Sequence, residues 1–120
     1  MGLSVCYDLR FAELYRELAR RQADLIFVPS AFTAYTGKAH WEPLLRARAI
    51  ENQVYIIAPN QFGKNPQSFE TYGHSMIVDP WGEIVAVLPD GPGFVIGDID
   101  LDYLSRVRRE LPCLAHRRLS

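Results

Sequence analysis

Three short apolar runs, separated by stretches of helical periodicity, dictate most of what this chain can fold into. Residues 3–7 form the first run and end at Asp8, after which Phe11, Leu14, Tyr15 and Leu18 recur at helical spacing with Glu13, Arg16, Glu17, Arg20 and Arg21 opposite. Residues 25–28, closed by Pro29, and residues 54–58, closed by Pro59, show no polar alternation. Runs of that kind are strands buried on both faces of a parallel sheet. Strand, helix, strand in one sheet is a right-handed βαβ crossover, so the chain is α/β from its first third onward.

The second helix is expected over 40–53, after a loop over 30–38, with Pro43 in its first turn where no backbone donor is needed. Its apolar stripe is Trp41, Leu44 and Leu45, and the next position on that stripe is Arg48, which puts a charge on the buried side. A polar loop follows from Pro59, Asn60 and Gln61 to Tyr72. The pattern then changes to runs at 75–78, 84–88 and 94–99, parted by turns at 79–82 and 89–92, which reads as an antiparallel meander. A last helix over 101–110 has Asp100 or Asp102 as its cap and stops before Pro112.

With 120 residues the chain allows one domain and can bury a sizeable core without disulfides. It enters what reads as a central strand after two residues, without an edge strand or lead-in, so residues 1–120 are expected to be a domain incomplete on its N-terminal side. No apolar run approaches the ~20 residues of a membrane span, and no secretory start precedes the first strand. The expected setting is the cytoplasm, with Cys6 and Cys113 as free thiols. The net charge is -1 and the 13 cations are 11 Arg and two Lys, which favours bidentate carboxylate pairing over nucleic-acid binding. The basic stretch at Arg106, Arg108, Arg109, Arg117 and Arg118 is diluted by Glu110, Leu111, Pro112 and Leu114 and reads as a solvated or interface face.

Cys6 falls between a strand end and a helix start, where open α/β sheets place ligands and helix N-termini stabilise anions. It is a candidate nucleophile, or else a buried structural cysteine. Arg10, Arg46, Arg48 and Glu51 cannot all be solvated and point to a buried Arg-carboxylate network that braces strand to helix or binds substrate. His40 and His74 are candidate bases for Cys6 or satisfied structural residues. No metal-ligand spacing and no glycine-rich phosphate loop occurs, so no metal and no cofactor is expected.

The strings Cys6-Tyr7-Asp8-Leu9-Arg10-Phe11-Ala12-Glu13, Pro29-Ser30-Ala31-Phe32, Thr36-Gly37-Lys38-Ala39-His40-Trp41-Glu42, Arg46-Ala47-Arg48-Ala49-Ile50-Glu51-Asn52-Gln53, Gly73-His74-Ser75 and Asp79-Pro80-Trp81-Gly82 resemble, in collinear order, the nitrilase superfamily of carbon-nitrogen hydrolases. Within it the chain is most similar to the branch of deaminated glutathione amidases and ω-amidases. The resemblance implies the C-terminal part of an αββα sandwich and a cytoplasmic homodimer when complete. It implies a Glu-Lys-Cys site in which Cys6 attacks a small amide, forms a thioester, and releases acid and ammonia. The backbone amide of Tyr7 would share the oxyanion with the family lysine. Phe32, Thr33, Thr36, His40 and Trp41 would line the substrate pocket, and Arg10, Arg48 and Glu51 would support it. The partner is then a small-molecule amide, deaminated glutathione first and an ω-amide of an oxo-dicarboxylic acid second, with no nucleic acid and no membrane.

One departure bears on activity. The family's glutamate and lysine lie upstream of the cysteine, where this chain has five residues, and neither Lys38 nor Lys64 matches the lysine, nor Glu13, Glu42 or Glu51 the base. The 120 residues alone are therefore expected to be inactive. A truncated, non-catalytic partner of other family subunits is the alternative, and a redox-sensing thiol a third reading.

Overall fold

The computed structural model describes residues 1–67 and 69–119. In chain order the elements are β1 (Gly2–Leu3), a 3₁₀ turn (Cys6–Arg10), α1 (Ala12–Arg20), β2 (Leu25–Phe27), α2 (Ala34–Asn52), β3 (Tyr55–Ala58), β4 (Phe62–Lys64), β5 (Glu70–Tyr72), β6 (Met76–Val78), β7 (Ile84–Val87) and α3 (Leu101–Glu110). The main sheet runs β1-β2-β3-β6-β7, and β4 pairs with β5 as a separate hairpin. β1, β2 and β3 are parallel, with Ile26 opposite Ile56, and β6 and β7 complete the sheet antiparallel.

Two crossovers of the same hand place α1 and α2 on one face of the sheet. There Ile26, Val28, Ile56, Ala58, Met76 and Val78 pack against Tyr15, Trp41, Leu45 and Ala49 to form the core. The other face is more thinly covered, by a smaller cluster of Tyr55, Ile77 and Leu104 with Val95 and Ile99 beside it. α3 is docked there by Arg108, which donates to Gln53 O, to Ala23 O and, at 2.7 Å, to Asp24. Asp100 caps this helix by accepting from the Tyr103 amide at 2.9 Å.

Four expectations are corrected. The run at 3–7 is a strand only as far as Leu3, although the chain stays beside β2 through Ser4 N–H to Phe27 O and Cys6 N–H to Pro29 O, each 3.0 Å. Asp8 then turns it, its carboxylate accepting from Val5 N–H and its own amide donating to Val5 O, both 3.0 Å. Second, α2 begins at Ala34, six residues before the expected start, capped by Thr33, so Pro43 lies inside the helix. It is tolerated on the exposed side, where water can satisfy the carbonyl that its missing N–H leaves free. Third, the polar loop after β3 contains the β4–β5 hairpin. Fourth, 94–99 is extended but pairs with no strand among the described residues: Val95 and Ile99 press on the sheet face while Phe94 and Ile96 face outward, so it lies across the sheet and does not extend it.

Candidate functional site

The carboxyl ends of the parallel strands converge on Cys6, the location at which open α/β sheets bind ligands. Cys6 opens the 3₁₀ turn with φ +45°, a left-handed conformation that costs a non-glycine residue of order 1 kcal/mol. Two anchors hold it there. Its N–H is bonded to Pro29 O, and at the far end of the turn Arg48 donates to Leu9 O through Nε at 3.1 Å and Nη2 at 2.9 Å. Arg48 is buried, and its third donor reaches Glu51 at 3.0 Å. The Asp8 amide is the first to close the turn, onto Val5 O, so Tyr7 N–H precedes the hydrogen-bonded ladder, where donors have no partner within the turn.

Two hollows meet at Cys6. The larger, about 650 Å³, is bounded by Val5, Ser30, Ala31, Asn60, Gln61 and Ser75 among others. The smaller, about 190 Å³, is walled by Tyr7, Arg10, Ala31, Phe32, Thr33 and Thr36. Arg10 lies over two rings, 5.2 Å from the Phe32 centroid and 5.7 Å from that of Tyr7, and 3.3 Å from His40 Nδ1. Cation–π contact of that kind holds a guanidinium beside the rings while leaving N–H groups free for an anion. The Thr33 and Thr36 hydroxyls bond to each other.

The structure thus brings together Cys6, Tyr7, Arg10, Phe32, Thr33 and Thr36, and places the other expected residues elsewhere. Trp41 is a core residue behind the wall, with its ring 5.0 Å from Phe32 and its indole N–H donated to His74 O at 2.9 Å. His40 is exposed and reaches the site only through Arg10. His74 is stacked on Tyr72 with Nδ1 2.7 Å from Tyr72 O, and neither histidine lines the hollows at Cys6. The expected four-residue network is smaller than supposed. Arg48 and Glu51 are joined by Arg16, whereas Arg46 binds Gly82 O at 2.7 Å and Arg10 stands apart. Among the described residues no glutamate, lysine or histidine lines either hollow at Cys6.

Asn60 was legible only as the start of a polar loop. Buried between the larger hollow and the Phe32 wall, it accepts from Phe32 N–H at 2.9 Å and donates to Gly73 O at 2.7 Å. Its place directly after Pro59, at the carboxyl end of a parallel strand, is the signal that would have singled it out.

The sequence pattern of the family described as Carbon-nitrogen hydrolase matches residues 1–109. Over 117 residues the chain is 56% identical to a deaminated glutathione amidase of Synechocystis sp., covering 98% of this chain and 43% of that protein. It is 53% identical to the human deaminated glutathione amidase, covering 98% of this chain and 36% of the relative. The chain therefore spans about two-fifths of the length of these relatives. Among solved structures it is similar to Saccharomyces cerevisiae Nit3, a member of branch 10 of the nitrilase superfamily, with TM-score 0.89 and 39% identity over 98% of this chain and 44% of that one. The comparisons give no support to a non-catalytic binding partner.

Proposed function

The chain belongs to the carbon-nitrogen hydrolase family, and from that premise we propose that it is the cysteine-bearing part of an amidase that hydrolyses deaminated glutathione or a related ω-amide. One observation carries the reading: Cys6 heads a 3₁₀ turn in a left-handed conformation and opens on a small pocket whose other walls include Arg10, Thr33 and Thr36.

The Cys6 Sγ attacks the amide carbon, and the thiol proton passes to a glutamate base contributed from outside these 120 residues. The carbonyl oxygen becomes an oxyanion, held by Tyr7 N–H and the family lysine. The glutamate returns that proton to nitrogen as the C–N bond breaks, and nitrogen leaves as the neutral amine, as ammonia when the amide is primary. Water then attacks the thioester, the acid departs and the thiol is restored. Arg10, held against Phe32 and Tyr7, and the two threonine hydroxyls receive the carboxylate or oxo group at the acyl end. The larger hollow is the opening through which the base and the lysine reach Cys6.

Two further features accompany the reading. Free thiols at Cys6 and Cys113 fit a reducing, cytoplasmic compartment. Exposed Phe94 and Ile96 fit a subunit that buries this side in a homodimer.

The test is turnover by the complete subunit. Both amides are expected to be hydrolysed faster than an arylacetonitrile, Cys6→Ser to lose at least about a thousandfold in kcat, and the 120-residue chain alone to be inactive. Higher rates on the nitrile, or ammonia release by the isolated chain that depends on Cys6, would overturn the assignment.

A further inference from the structure

We infer that Asn60 is a positioning residue for the acyl pocket: its carboxamide ties the Phe32 peptide to Gly73 and so fixes the ring on which Arg10 lies. The inference rests on the amidase reading for its substrate class, but the clamp itself is read from geometry. Asn60 Oδ1 accepts from Phe32 N–H at 2.9 Å and its Nδ2 donates to Gly73 O at 2.7 Å, both bonds buried. The backbone of the same residue exchanges bonds with Ser75 Oγ at 2.8 and 3.2 Å. On either side, Ser30 N–H donates to Pro59 O and Gln61 N–H to Ser30 O, each at 2.9 Å. Three segments already joined by backbone bonds, the wall at 30–32, the end of β3 and the crossing at 73–75, therefore also meet at one side chain.

A carboxamide is the group the arrangement requires, because it must accept at one atom and donate at the other. An ionised Asp accepts at both oxygens and would face Gly73 O with a lone pair. A protonated Asp accepts and donates, and reproduces both bonds. Burial raises the pKa of such a carboxyl, so Asn60→Asp becomes a pH-operated version of the clamp. The groups it bonds, the Phe32 amide, the Gly73 carbonyl and the Ser75 hydroxyl, do not titrate, and the groups around it that do are Cys6 across the hollow and Tyr72 and His74 on the crossing segment. The unsubstituted protein, carried through the same pH series, accounts for those.

The experiment compares Asn60→Asp with the unsubstituted complete subunit at neutral and at acidic pH, using a carboxylate-bearing ω-amide and uncharged butyramide. At neutral pH the variant is expected to raise KM for the carboxylate-bearing amide about tenfold, the loss of one buried hydrogen bond, and to raise KM for butyramide by a smaller factor. On acidification the ratio of variant to parent should return towards one. Hydrogen exchange at the Phe32 amide gives a readout independent of turnover, and should quicken at least about tenfold in the variant at neutral pH only. Equal effects on both amides, no recovery on acidification, or unchanged exchange at Phe32 would each overturn the clamp. If the parent hydrolyses neither amide while the exchange behaves as described, the amidase reading fails and the clamp stands.

Discussion

Arg48 is the residue that links core to chemistry. A guanidinium on an apolar stripe is expensive to bury unless its donors are all engaged, and here they hold the Leu9 carbonyl at the end of the Cys6 turn and the Glu51 carboxylate. A second buried polar pair lies beneath it. The Tyr15 hydroxyl is 2.7 Å from Ser4 Oγ, and burial pushes the phenol up to about 12 from its usual value of 10, against the downward pull of the Ser4 bond and of Arg48. A phenol whose folded pKa is raised has no effect on stability below pH 10, and lowers it as pH rises from about 10 to about 12, where only the unfolded state ionises. Tyr15 should therefore cost about 2 to 3 kcal/mol across that window. Tyr15→Phe should remove this part of the alkaline slope while costing about 1 kcal/mol near neutrality for the lost bond. Urea midpoints of both proteins along an alkaline pH series check this, and parallel slopes would refute it. The position of Arg48 could be read from spacing, since a seven-residue step returns to the same helix face. Its partner could not, because nothing in a linear pattern says which carbonyl a buried guanidinium will meet.

At the scale of elements, the approach of the hairpin to α2 decides the shape of the pocket wall. Tyr72 lies on Gly37 so closely that a Cβ there would stand 2.5 Å from the ring. Tyr72 N–H donates to Phe32 O at 2.8 Å, so the hairpin and the wall move together. Gly37→Ala should force the hairpin outward and destabilise the fold by about 1 to 3 kcal/mol, seen as a lower thermal midpoint, whereas an unchanged midpoint would show that the contact is slack. This contact also explains why the helix start escaped the sequence. Residues 34–37 include tyrosine, threonine and glycine, which are weak helix formers, and the Thr33 cap and the packing of Tyr72 make them helical. The parallel strands were legible because apolar runs between prolines have few other uses. The segment 94–99 was half legible: its alternation does mark an extended stretch with one buried face, but alternation carries no information about whether a neighbouring strand is there to pair with.

For the molecule as a whole, the accessible surface is 7464 Å², against about 6,600 Å² for a compact monomer of this mass. Part of that excess is apolar. Leu3, Val5 and Phe27 border an open hollow on the face away from α1 and α2, and Leu3 is 70% exposed. That face, the lack of a glutamate or lysine at Cys6 among the described residues, and a span of about two-fifths of the curated relatives agree with one account, in which the remainder of a subunit brings both catalytic partners and covering surface. In such a subunit the acyl group is expected to pass through Cys6. The most direct measurement is acid quenching of the complete subunit during turnover of a deaminated glutathione-type amide, followed by intact-mass and peptide-level mass spectrometry. The account predicts an acyl adduct on the peptide carrying Cys6 that hydroxylamine removes. Turnover with the adduct on another residue, or turnover that persists in Cys6→Ala, would contradict it.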